Sequence, residues 1–165
     1  MADEKRRLFV ETTIPSLATA RLSLDVITAG RQEATKFFWE RERHKYQLFV
    51  SQDVLDECAL GDPEAAKRRL DFLTGIPILP KTREMLELAY IYQKLLVIPD
   101  RAMTDSLHVS TSVLTGMDYL LSWNFAHFGI KSYERLREYN DKHGLKTPFL
   151  TAPDALIETE EEADG

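Results

Sequence analysis

The hydrophobic positions of this chain come in short bursts, separated by longer stretches in which they recur every three or four residues. Bursts at 8–10, 47–50, 76–79, 118–122 and 148–151 have strand character, DYLLS at 118–122 most plainly. Between them, periodic stretches at 24–46, 63–75, 82–97, 101–115 and 132–143 predict helices, and a shorter helix after Ser51 carries Val54, Leu55 and Cys58 inward. Local chemistry fixes several boundaries. Ser51 and Asp100 are expected N-caps, Asp62-Pro63 pairs a cap with a proline at the first helical position, and Gly144 closes the last helix. Along 24–46 the apolar residues Val26, Ile27, Ala34, Phe37 and Phe38 predict the inward face; along 82–97 they are Met85, Leu86, Ala89, Ile91 and Leu95. The segment Thr-Thr-Ile-Pro-Ser after the first burst predicts a turn, since proline cannot continue an interior strand.

Strands that alternate with helices require crossover connections, so the expected class is α/β with a central, mainly parallel sheet covered on both faces. The 165 residues, 44% of them hydrophobic, suit one domain over 7–157, preceded by a charged tail at 1–6 and followed by an acidic tail at 158–165, expected to be disordered. No apolar run is long enough for a spanning helix or a signal peptide, so a cytoplasmic protein with no membrane association is expected. Cys58 is the single cysteine, which excludes an internal disulfide framework and a thiolate zinc site. The net charge of −6 is concentrated at the end of the chain: residues 7–157 hold 20 acids against 19 bases. That nearly neutral body leaves room for an acidic pocket and basic patches side by side.

In a parallel sheet ligands gather at the carboxyl ends of the strands. Four polar residues fall there: Glu11 after the first strand, Glu57 in the helix after the second, Asp105 in the helix after Asp100, and Asn124 after DYLLS. Each alone has a plain structural explanation: a solvated helix face for Glu57, an answer to the helix dipole for Asp105, a turn for Asn124. Together they describe an acidic pocket, which like-charge repulsion makes costly unless a cation compensates it. With oxygen ligands alone the expected ion is Mg2+ or Mn2+, suited to hold a phosphate and activate water.

The order of these residues resembles the PIN domain family, in particular VapC-like toxins of bacterial toxin-antitoxin pairs. VETTIPS places Glu11 where the family has its first acid, VLDECALGD places Glu57 at the second, MTDSLHVS gives Asp105 as the third, and LLSWNFAHF offers Ser122 and Asn124 at the fourth. The resemblance spans about residues 7–157. It implies a three-layer α/β/α PIN-like fold, Mg/Mn-dependent endoribonuclease activity on RNA, a homodimer and a cognate antitoxin. Glu11, Glu57, Asp105 and Asn124 are then the catalytic set, the three acids being the metal ligands, with Thr12, Ser122 and His127 in support. Two positions depart from the commoner pattern: Glu11 and Asn124 both stand where aspartate is more usual, leaving three formal negative charges instead of four.

Other residues keep two readings. His108 is either a donor to the acidic site or a half-buried structural histidine; His127 either meets a substrate phosphate or closes its loop. The basic runs 41–45 and 67–69 either neutralise RNA phosphates or form solvated faces, and Phe38 and Trp39 read as core or dimer contacts. The alternative function is a catalytically weakened PIN-fold module that binds RNA or protein. A phosphotransfer α/β domain is disfavoured, because Glu11-Thr12-Thr13 supplies no aspartate nucleophile.

Overall fold

A computed structural model describes residues 4–157. Five strands form one sheet: β1 (Arg6–Val10), β2 (Tyr46–Ser51), β3 (Ile78–Leu79), β4 (Tyr119–Leu121) and β5 (Phe149–Thr151), in spatial order β3-β2-β1-β4-β5. Every pairing is parallel, with Leu8 opposite both Leu48 and Tyr119. The central β1 is covered on both faces, so Leu8, Phe9 and Val10 are all fully buried, and a continuous apolar run replaces the alternation of a half-exposed strand.

Seven α-helices are seen among the described residues: α1 (Thr13–Thr19), α2 (Val26–Phe37), α3 (Gln52–Cys58), α4 (Pro63–Phe72), α5 (Arg83–Leu95), α6 (Met103–Leu114) and α7 (Ile130–Lys142). They supply the crossovers and complete the α/β/α arrangement. The caps expected at Ser51 and Asp62 are present, their side chains accepting from the backbone N–H groups of Val54 and Ala65, and Thr82 caps α5 through Met85. None of the described helices is long and apolar enough to cross a membrane. The acidic tail at 158–165 lies outside the described residues, and Arg6, assigned to the N-terminal tail, already belongs to β1.

Several elements differ from expectation. The turn expected after β1 is helix α1: Pro15 sits in its first turn, where a missing N–H breaks no intrahelical bond. The single helix expected over 24–46 is broken into α2, a π-helical turn (Phe38–Glu42) and a 3-10 turn (Arg43–Lys45). Of the expected inward face, Phe38 is fully buried and Ala34 half-buried, but the buried positions of α2 itself are polar. Gln32 and Thr35 are buried, while Val26 and Ile27 are 84% and 69% exposed. Gln32 explains part of the reversal, because its amide bridges the backbone of Arg21 and Ser23 and ties the preceding loop to the helix. In α5 the face shifts too: Leu88 and Tyr92 are buried and Ile91 is exposed. Asp100 caps no helix. Its side chain accepts from Gln93, and a 3-10 turn (Asp100–Ala102) precedes α6.

Candidate active site

The sheet changes direction at β1, whose neighbours are β2 on one side and β4 on the other, and whose chain leaves toward β2 while β4 arrives from β3. A crevice opens at the carboxyl ends of strands at such a point. Glu11 follows β1 directly, and Ser122 to Asn124 follow β4, so the topology brings residues more than a hundred positions apart to one place. The amino end of α6 adds Asp105 from the side. One small cavity is lined by Glu11, Asp105, His108, Ser122 and Asn124, with Phe125 and Phe128 on its apolar wall. No lysine or arginine is among the residues lining it.

Glu11 is 7% exposed, and its Oε2 is held by three donors: the Thr13 backbone N–H at 2.9 Å, the Thr13 hydroxyl at 2.5 Å and the Ser122 hydroxyl at 2.7 Å. The Thr13 hydroxyl oxygen also accepts from the backbone N–H of Trp123 at 2.9 Å, locking the end of β1 to the loop after β4. This answers how a strand can close on a buried glutamate: one carboxylate oxygen is satisfied by its own turn and by the neighbouring strand end, and the other takes no hydrogen bond among the described residues. Thr13 was not singled out from the sequence. The doubled threonine of VETTIPS is the signal that was available, since its two hydroxyls serve two different acids.

Glu57 is the second of those acids. It does not line the cavity; its Oε1 accepts from the Thr12 hydroxyl at 2.8 Å and is 2.7 Å from His108 Nε2. Burial raises the Glu57 carboxyl, but these two partners outweigh burial and hold it below its ordinary value. His108 therefore serves Glu57 rather than Asp105. At 3% exposure it is buried outright, and burial works against its charge, yet the Glu57 bond and the nearby Glu11 and Asp105 carboxylates raise its pKa. Its Nδ1 has no partner among the described residues, which leaves Nε2 as the atom that carries the proton to Glu57.

Asp105 is the least compensated group. Burial pushes its carboxyl above the ordinary aspartate value; His108 pulls it down, and Glu11 and Glu57 push it further up. His127 Nε2 lies 4.0 Å from Asp105 Oδ2, beyond hydrogen-bond distance. Asn124 reaches the cavity, but its side-chain oxygen faces the Ala126 N–H at 3.4 Å, an Asx-type turn within its own loop. Glu11, Asp105, Ser122 and Asn124 are thus brought together, Glu57 and Thr12 stand behind them through His108, and His127 sits beside Asp105.

Among the described residues, no three carboxylate, imidazole or thiol groups converge closely enough to enclose an ion as they stand. The donor chemistry nevertheless suits a hard divalent cation. Among the described residues, Glu11 and Glu57 each keep one oxygen without a hydrogen bond, Asp105 accepts none, and His108 offsets the three acids only in part. An ion with few protein ligands and several waters is the mode that magnesium favours.

No family model and no curated protein matches the sequence. Solved structures do match the fold. VapC20 of Mycobacterium tuberculosis, a toxin that cleaves the sarcin-ricin loop, superposes with a TM-score of 0.54 at 17% identity, covering 73% of this chain and 92% of that one. The VapBC2 structure of Rickettsia felis, bound to a DNA fragment from its promoter, matches with a TM-score of 0.52 at 15% identity, covering 88% and 97%. The chain has the PIN-like α/β/α fold. At these identities the likeness is one of architecture, and the site rests on the geometry given above.

Proposed function

We propose that this chain is an Mg2+- or Mn2+-dependent endoribonuclease of the VapC kind, with Glu11, Glu57 and Asp105 holding the cation and Asn124 beside them. The observation that carries the reading is the environment of Asp105: a half-buried carboxylate raised by burial and by two neighbouring acids, in a crevice with no lysine or arginine to neutralise it. Such an arrangement is costly in an apo protein and is relieved by a bound cation.

A bound divalent cation would supply Lewis acidity, drawing charge from a phosphodiester oxygen and lowering the pKa of a water. The protein's part is to hold the acids still. Thr13 and Ser122 fix one oxygen of Glu11, and Thr12 and His108 fix one oxygen of Glu57, leaving the second oxygen of each for the cation. His127 stands where it can meet a substrate phosphate. A cognate antitoxin, a homodimer and a cytoplasmic setting belong to the same reading. The outward apolar residues of α2, including Val26 and Ile27, favour a protein partner over bare solvent.

Asp105→Asn tests the site. Expected are RNA cleavage by the wild type in Mn2+, none in EDTA, and loss of cleavage in the variant with its circular dichroism unchanged. A second reading, a PIN-fold module that binds without cutting, is favoured by Glu57 lying outside the cavity. Tight RNA or protein binding that ignores EDTA, with no cleavage by the wild type, would establish it in place of the nuclease.

A further inference from the structure

The opposite end of the sheet, where the strands begin, carries the reverse charge. A surface cleft of about 680 Å³ is lined there by Lys5, Arg6, Arg7, Lys45 and Lys146, with Glu4 and Asp118 as the only acids among the described residues. Asp118 is already committed: one oxygen accepts the Arg7 backbone N–H at 2.7 Å and the other is paired with Lys146. A second cleft of about 320 Å³ shares Lys5 and continues the band to Arg43 and His44. Two of these arginines are preorganised. Arg7 lies 4.4 Å over the Phe49 ring and donates to the Thr115 carbonyl at the end of α6, and Arg43 lies 4.6 Å over Trp39.

Cations at this end have an ordinary use, since helices antiparallel to the strands point their carbonyl ends here. The Arg7 to Thr115 contact is such a case. Lys5 is not: it is exposed and has no ion pair or hydrogen bond from its side chain among the described residues. Arg6, also exposed, has no side-chain hydrogen bond or ion pair among the described residues and lies in the field of Asp118. The body of the chain is almost neutral, so this band is a local concentration of charge and not an average property.

We infer that the cleft lined by Lys5 and Arg6, continued by Arg43 and His44, binds the phosphate backbone of RNA at a distance from the acidic crevice. The proposed function enters only in naming RNA as the polyanion. A negatively charged crevice repels the phosphates that flank a bond to be cut, so affinity must come from elsewhere on the molecule, and this end supplies it. Strand β1 is about 17 Å long, so one RNA chain running along the side of the domain reaches both ends.

The test separates binding from cleavage. Fluorescence anisotropy of a labelled oligoribonucleotide is followed in EDTA for the wild type and for Lys5→Gln/Arg6→Gln, both surface changes with an unchanged thermal midpoint expected. The expected result is binding weakened about tenfold and a log-log salt slope smaller by about 1.4, the share of two phosphate contacts on single-stranded RNA. Lys67→Gln/Arg68→Gln on α4 is the comparison, where Lys67 is already paired with Asp71 and little change is expected. Equal losses from both double variants, no loss from the first, or displacement of RNA by polyglutamate at equal charge would each overturn the inference. A wild type that binds with this sensitivity yet cuts nothing in Mn2+ would keep the inference and remove the nuclease.

Discussion

At the scale of single residues, the Glu57–His108 pair decides how the apo protein responds to pH. The His108 pKa is raised above its ordinary 6.5, so the stability it contributes is complete below 6.5 and is lost as pH rises through the raised value. The Glu57 pKa is lowered from 4.5, so its contribution is complete above 4.5 and is lost as pH falls through the lowered value. The pair is therefore at full strength between about 4.5 and 6.5. Asp105, raised from 3.8, adds a loss as pH climbs above that value, so it opposes the gain from Glu57 and flattens the acid side of the profile. Urea midpoints measured in EDTA from pH 5 to 9 should fall above pH 6.5. In His108→Gln, which keeps a donor without a titrating ring, that fall should disappear, and a variant that loses stability with pH as the wild type does would assign it to another group.

The same scale shows what the sequence could disclose about the site. Glu11, Asp105, Ser122 and Asn124 were legible because each follows a strand or begins a helix at the carboxyl edge, and topology alone gathers such positions. The partner of His108 was not legible. Three residues of separation put it near Asp105 on the helix surface, but the ring turns instead across to α3 and Glu57, a choice made by tertiary packing. Thr13 was hidden for a related reason: its hydroxyl acts through Glu11 and the Trp123 amide, a pairing created only when β1 and β4 lie side by side.

At the scale of elements, the strands and most caps could be read because buried parallel strands are continuously apolar and caps are local chemistry. Helix faces were harder. In α2 the apolar positions point outward, and a buried glutamine with two backbone partners outweighs the periodicity that a hydrophobic count detects. The end of α5 holds a different kind of exception. Val97 adopts φ of +55°, a left-handed conformation in which a β-branched residue is strained, while the Ile98 N–H closes the helix end by donating to the Gln93 carbonyl at 2.9 Å. The side chain is 78% exposed, so little packing repays the strain. Left-handed geometry costs an L-residue about 1–2 kcal/mol, and glycine gives back part of that through its extra freedom when unfolded. Val97→Gly should accordingly stabilise the protein by about 0.5–1 kcal/mol in urea unfolding. A loss of stability would mean that the valine makes a contact in solution, such as one across a dimer.

At the scale of the whole molecule, the sheet separates charge: acids at the carboxyl ends of its strands and bases at their amino ends. That separation makes the effect of a divalent cation measurable without any reaction. A cation bound by the folded protein alone stabilises it by about 2.7 kcal/mol at a hundred times its dissociation constant. In a chain of this size each kcal/mol moves the melting temperature by about 2–4 °C, so saturating Mn2+ should raise it by about 5–10 °C. Asp105→Asn should behave oppositely in two respects. Removing the carboxylate raised by burial and by Glu11 and Glu57 relieves repulsion, so the apo variant should melt no lower than the apo wild type. Its response to Mn2+ should nonetheless shrink to the level produced by NaCl of equal ionic strength, which accounts for screening at the surface. If the two proteins rise equally with Mn2+, the cation is acting elsewhere and the three acids do not share it. If only the wild type rises, the cost of holding Glu11 and Asp105 in one crevice, with Glu57 behind them, is the cost of a cation site, recovered when the cation binds.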